Sequence, residues 1–260
     1  MTQHNSELRM SFFDHLDELR VRVIRCLWVF TAGFLVLYFF SEQILGILRG
    51  PLFLVLPPTQ QKLYFTSLFE NFLTHLKIAG YSALFVFSPY YFYQLWCFIA
   101  PGLYSKERRL ALPFICAATT FFLGGACFAY FIVFPVGFKF FVTYGGPTDI
   151  PLLTIDSYYT TCLKLLLLFG LAFEIPVIIV FLGYIGLVDS ALLRKHRRVA
   201  IIGITVIAAL FAPPDAVSML MLGGPLVLLY ECSIWVVQWL EPRRRETRQV
   251  EDPLEGRSRP

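Results

Sequence analysis

The stretch VAIIGITVIAALFAPPDAVSMLMLGGPLVLLYECSIWVVQWL, Val199–Leu240, is apolar over about twice the ~20 residues that one helix needs to cross a bilayer core. Arg194, Lys195, Arg197 and Arg198 precede it, and Arg243, Arg244, Arg245 and Arg248 follow it. Basic residues collect on the cytoplasmic side of a membrane, so the chain crosses an even number of times between these groups. The break is Pro213-Pro214-Asp215: prolines remove a hydrogen-bond donor and push the preceding residue out of the helical region. The run therefore reads as two helices, Val199–Ala212 and Val217–Leu240, joined by a tight outer turn.

The same logic extends outward along the chain. Of its 260 residues 57% are hydrophobic and 15% charged, 27 are Phe, and the mean hydropathy is +0.65, which excludes an ordinary soluble domain. Four further spanning runs lie at about Val23–Phe40, Leu76–Ala100, Leu110–Phe134 and Tyr158–Gly183. Two more basic groups, Arg9, Arg20, Arg22 and Arg25, then Lys106, Arg108 and Arg109, fit the same alternation. The fold expected is all-α: a polytopic integral membrane protein with six transmembrane helices and both termini cytoplasmic. At ~1.5 Å per residue the fifth helix falls short of the roughly 30 Å core, so it thins the bilayer locally or stops short of one surface.

Three parts are expected: residues 1–22, a cytoplasmic N-terminal segment with an amphipathic helix; residues 23–240, the six-helix domain; and residues 241–260, a disordered cytoplasmic tail without apolar periodicity. The first apolar run follows a long charged segment and lacks a small-residue cleavage motif, so it reads as a retained helix. The long outer segment from Ser41 to about His75 holds apolar pieces too short to span and reads as an ordered cap. Cys26, Cys97, Cys116, Cys127, Cys162 and Cys232 lie in apolar runs without a CxxC pair and read as buried, inert thiols.

Within this apolar background the carboxylates are conspicuous. Glu174 interrupts LLLLFGLAFEIPVIIVFLG (Leu165–Gly183), where an acid costs ~2.5–3.5 kcal/mol at the bilayer centre. It marks a functional site or hydrogen-bonds into a kink opened by Pro176, and Glu231 faces the same choice. In SFFDHLDELRVRVI, Phe12, Leu16, Leu19 and Val23 form an apolar stripe, Ser11 and Asp14 resemble a capping box, and Glu18 stands one turn before Arg22. Those features suit an interfacial helix with an internal Glu18–Arg22 pair. Glu107, a carboxylate among Lys106, Arg108 and Arg109, is either their charge partner or a site of its own.

Five segments carry a resemblance: HLDELRVR (His15–Arg22), FIAPGLYSKERR (Phe98–Arg109), FAYFIVFP (Phe128–Pro135), FGLAFEIPV (Phe169–Val177) and FAPPDAVS (Phe211–Ser218). Together, and in order from roughly Ser11 to Trp239, they resemble the signatures of TatC, the membrane receptor subunit of the twin-arginine protein translocase. The resemblance implies a concave glove-like bundle with two short C-terminal helices, in the bacterial inner membrane, exporting folded proteins at the expense of the proton-motive force. It implies that Glu18 and Glu107 receive the arginine pair of a signal peptide, with Arg20 and Phe98 on the same surface. A guanidinium forks onto a carboxylate in a way an ammonium cannot, so a Lys pair is expected to bind less well. It further implies that Glu174 faces a membrane cavity and that Pro51 and Glu70 organise the outer cap. Asp215, after the Pro pair, reads as a helix cap.

Single-span TatA and TatB type subunits, anionic lipids at the basic inner face and further copies of the chain are the expected partners; no cofactor, metal or nucleic acid is. The basic face repels a basic peptide at long range, so selectivity must lie in local carboxylate pockets. The chain departs from the family where many relatives carry Pro near Ser67-Leu68 and polar residues at Ala212 and Met219. A secondary transporter built on Glu174 with Lys164 or Lys139 would need half-repeats and several midplane charges, which the sequence lacks. An intramembrane enzyme would need a motif such as GxSxG or HExxH; neither occurs, and His4, His15, His75 and His196 are scattered.

Overall fold

The computed structural model describes residues 12–99, 111–144, 152–211 and 216–255. Among them the structure is all-helical, apart from one isolated bridge between Tyr64 and Thr154. The helices are α1 (Phe12–Phe39), α2 (Ser41–Phe53), α3 (Glu70–Val86), α4 (Ser88–Ile99), α5 (Ala111–Phe128), α6 (Phe134–Tyr144), α7 (Ile155–Ile185), α8 (Ser190–Lys195), α9 (Arg197–Phe211) and α10 (Ala216–Glu255). The chain forms two compact units, Met1–Ile47 with Ser67–Thr119, and Leu48–Thr66 with Thr120–Pro260.

In the first unit the expected N-terminal segment and first span are one continuous helix, α1. Gly33 of α1 gives the Phe87 ring its seat, and Gly80 of α3 faces Phe30 and Phe34. The expected run Leu76–Ala100 divides at Phe87 into α3 and α4, with Pro89 in the first turn of α4, where its missing N–H is harmless. Glu70 opens α3: it is buried, and its Oε2 accepts the N–H of Ser67, just ahead of the helix, at 3.3 Å. Glu70→Ala is therefore expected to lower stability by about 1 kcal/mol, seen as a lower thermal midpoint in detergent, whereas Glu70→Gln retains most of it. Equal midpoints for the Ala variant and the parent would refute that role.

In the second unit α5 continues through a π-helical turn, Ala129–Val133, into α6, past the expected end at Phe134. The cause is Pro135, which clashes with the carbonyl four residues earlier; the widened turn moves that carbonyl aside. Helix α7 starts at Thr154, whose hydroxyl accepts the Ser157 N–H, and stops at Gly186 in the left-handed region, φ 80°. The C-terminal part of α2 is fixed by Tyr158, whose hydroxyl donates to the Leu48 carbonyl at 2.7 Å, and by Arg49 Nε, which donates to the Tyr159 hydroxyl at 2.7 Å. Pro51 is buried inside this helix. Ala172, Ile204, Leu226, Tyr230 and Ile234 pack α7, α9 and α10 together.

Four segments among the described residues are long and apolar enough to span a membrane: Phe13–Phe39, Ala111–Thr143, Ile155–Ile185 and Met219–Glu241. Helix α9, at 15 residues, is short as expected, but α10 runs for 40 and continues beyond Leu240 to Glu255. Its extension carries four Arg and four Glu, good helix formers, together with Pro242 and Pro253. Trp28, Leu35 and Phe39 stand exposed on α1, a surface suited to lipid and not to water. All six cysteines are free, yet only Cys162 is buried; Cys116, Cys127 and Cys232 are exposed, because an apolar run in a membrane protein faces lipid as readily as protein.

Candidate functional site

On α1 the side chains of His15, Glu18 and Arg22, at three- and four-residue spacing, are the covered ones, whereas Leu16, Leu19 and Val23 are exposed. The apolar stripe therefore faces outward, and the polar one packs on α4. A lipid surroundings rewards that inversion, since the charged stripe finds its partners inside the protein.

The partners can be followed atom by atom. Arg22 places two guanidinium nitrogens on Glu18 Oε1, the Nε contact being 3.0 Å, and its remaining nitrogen donates to Gln94 Oε1 at 3.2 Å. Gln94, almost fully buried in α4, donates in turn to the Tyr90 hydroxyl at 2.7 Å. Glu18 Oε2 is buried and has no hydrogen-bond partner among the described residues; its neighbour is His15 Nδ1, 3.9 Å away. The His15 ring stacks on Phe98 with centroids 4.2 Å apart and planes 15° apart.

Of the residues expected at this surface, Glu18 and Phe98 are thus brought together through His15. Arg20 is exposed and outside the cluster, and Glu107 lies outside the described residues. Sequence reasoning missed Gln94 and Tyr90; a lone glutamine in a spanning run was the available signal.

Glu174 is buried in α7 with its carboxylate against the Phe122 main chain, and Oε1 has no hydrogen-bond partner among the described residues. Pro176, two residues on, removes the N–H that the Ala172 carbonyl would otherwise accept. Glu231 differs: its Oε2 accepts from Arg197 of α9 at 2.7 Å. Asp215 also lies outside the described residues. A cavity of about 380 Å³ in the second unit is walled by apolar groups, among them Leu52, Phe134, Phe138 and Phe169, with Tyr158 and Thr154 at its edge.

The model of the family "Sec-independent protein translocase protein (TatC)" matches residues 14–225. A Campylobacter jejuni protein, Sec-independent protein translocase protein TatC, is 40% identical over 234 residues, 89% of this chain and 95% of its own length. The protein of the same description from Desulforapulum autotrophicum is 40% identical over 228 residues, 88% of this chain and 84% of its own. The crystal structure of the twin arginine translocase receptor TatC superposes with a TM-score of 0.77 at 34% identity, covering 87% of this chain and 99% of that one. With the family model and its relatives spanning most of both chains, and an all-helical structure matching as well, the chain belongs to the TatC family of Sec-independent protein translocase proteins.

Proposed function

We propose that this chain is the signal-peptide receptor and core subunit of a twin-arginine translocase in the bacterial inner membrane. It exports folded proteins at the expense of the proton-motive force and works with single-span TatA and TatB type subunits, anionic lipids and further copies of itself. Six crossings with both termini cytoplasmic follow from charge parity: α3 with α4, and the short α9, add two to the four long apolar helices. The observation that carries the reading is Glu18 Oε2, a buried carboxylate oxygen without a hydrogen bond among the described residues, beside His15, which stacks on Phe98. Such an oxygen is an acceptor awaiting a cation. Glu107, Arg20, Pro51, Glu70, Glu174 and Asp215 keep the roles that family membership suggests. A transporter built on Glu174 with Lys164 or Lys139 is disfavoured because the sequence lacks the half-repeats and the several midplane charges it would need.

The test is binding of an Arg-Arg signal peptide to the purified full-length protein and to Glu18→Gln. A charge-assisted contact of ~1.5–3 kcal/mol predicts at least tenfold weaker binding for the variant. Equal affinity would remove Glu18 from the site.

A further inference from the structure

We propose that Arg22 is a positioning residue of the recognition site: it reserves one oxygen of Glu18, so that this carboxylate receives a single cargo cation, end-on, through Oε2. The inference rests on the reading of Glu18 as a receptor for signal-peptide arginines. A guanidinium gains its advantage over an ammonium by laying two parallel N–H bonds across both carboxylate oxygens. At Glu18 that fork is already taken up, because Oε1 carries two nitrogens of Arg22. The third nitrogen is tethered to Gln94, which Tyr90 fixes in turn, so Arg22 is held from two helices. What remains for cargo is one oxygen, Oε2, beside the His15 ring and its stacked partner Phe98.

One oxygen accepts one hydrogen bond from an ammonium as well as from a guanidinium. The two cargo positions are therefore read unequally. The position that meets Glu18 is read for positive charge and tolerates Lys, and the preference for Arg resides at the other position. Arg22 enforces this division by denying Glu18 its second oxygen.

Four signal peptides, carrying Arg-Arg, Arg-Lys, Lys-Arg and Lys-Lys, are titrated against the full-length protein in detergent. One single-lysine peptide is expected to bind within about threefold of Arg-Arg and the other about tenfold or more weakly, since only one site offers a fork. In Arg22→Gln both oxygens of Glu18 open; Arg-Arg tightens and the tolerated peptide falls about tenfold or more behind it. A merely structural role for Arg22 would weaken all four peptides alike and leave their ratios unchanged. Equal losses for both single-lysine peptides in the unmodified protein would overturn the proposal without any variant having to fold, as would unchanged ratios in a folded Arg22→Gln. If Glu18→Gln weakens Arg-Arg binding while the lysine losses are symmetric, the receptor reading stands and this inference fails. If Glu18→Gln changes nothing, both fail.

Discussion

Gly125→Ala is expected to lower the thermal midpoint of the protein sharply, while Gly124→Ala, one residue earlier on α5, leaves it unchanged or slightly raised. A Cβ at Gly125 would press on the Phe169 main-chain carbonyl of α7, with the carbonyl carbon at 2.9 Å and Phe173 Cγ also at 2.9 Å. The contact is reciprocal: a Cβ at Gly170 would meet the Phe122 ring at 2.9 Å and the Phe122 carbonyl at 3.2 Å. A ring can turn aside, but the backbone of a packed helix cannot. Small residues that let helix backbones touch are the main device of helix association in lipid, where no hydrophobic effect separates helix from solvent.

Overpacking of this kind costs about 1–3 kcal/mol for one methyl group, and a larger side chain such as Leu would separate the helices. At Gly124 a Cβ has no neighbour within 4 Å, so only intrinsic propensity acts there, favouring Ala by up to ~1 kcal/mol. The pair carries its own control, since composition and position along the helix are nearly identical. Midpoints that move together would show that the α5–α7 approach does not limit stability.

Glu174→Leu is expected to dissociate stability from function, holding or raising the midpoint while reducing export of a folded twin-arginine cargo at least about tenfold. The carboxylate is buried and Oε1 makes no hydrogen bond among the described residues. A buried polar group without its partner carries a penalty of about 1–3 kcal/mol, which an apolar side chain of similar shape removes. A protein that keeps such a group forgoes stability for something else, and in a membrane that is most often a polar or ionic contact during work. The comparison is made on the same preparation, by a melting curve and a transport assay. Normal export by the Leu variant would strip Glu174 of its role, and a large fall in the midpoint would assign the carboxylate to the fold.

Much of the helical framework was legible because prolines, glycines and apolar length are local signals. The Pro213-Pro214 break placed α9 to within two residues, and α7 ends within two residues of the expected Gly183. The failures have local causes too. Pro89 is tolerated in the first turn of a helix as well as inside an apolar run, so the sequence did not reveal the division at Phe87. The run expected to end at Phe134 continues instead, with Pro135 absorbed by a π-helical turn. On α1 the stripe rule assumes water outside; with lipid outside, Leu16, Leu19 and Val23 turn outward and the charged stripe turns in.

The candidate site was legible in the same partial way. The Glu18–Arg22 pair follows from its i,i+4 spacing alone. Gln94, 72 residues from Arg22, is known as its partner only once α1 and α4 are packed. That Glu18 Oε2 has no hydrogen-bond partner among the described residues is a property of that packing, since it depends on which oxygen Arg22 occupies.

The first measurement to make is a photo-crosslink from a signal peptide bearing a benzophenone side chain next to its arginine pair, with adducts on the full-length protein mapped by mass spectrometry. Recognition at Glu18 predicts adducts within His15–Arg22 of α1 and at Phe98 of α4, which are lost when the arginine pair is replaced by Lys-Lys. Adducts confined to the second unit, or equally strong adducts from both peptides, would contradict a twin-arginine site on this surface.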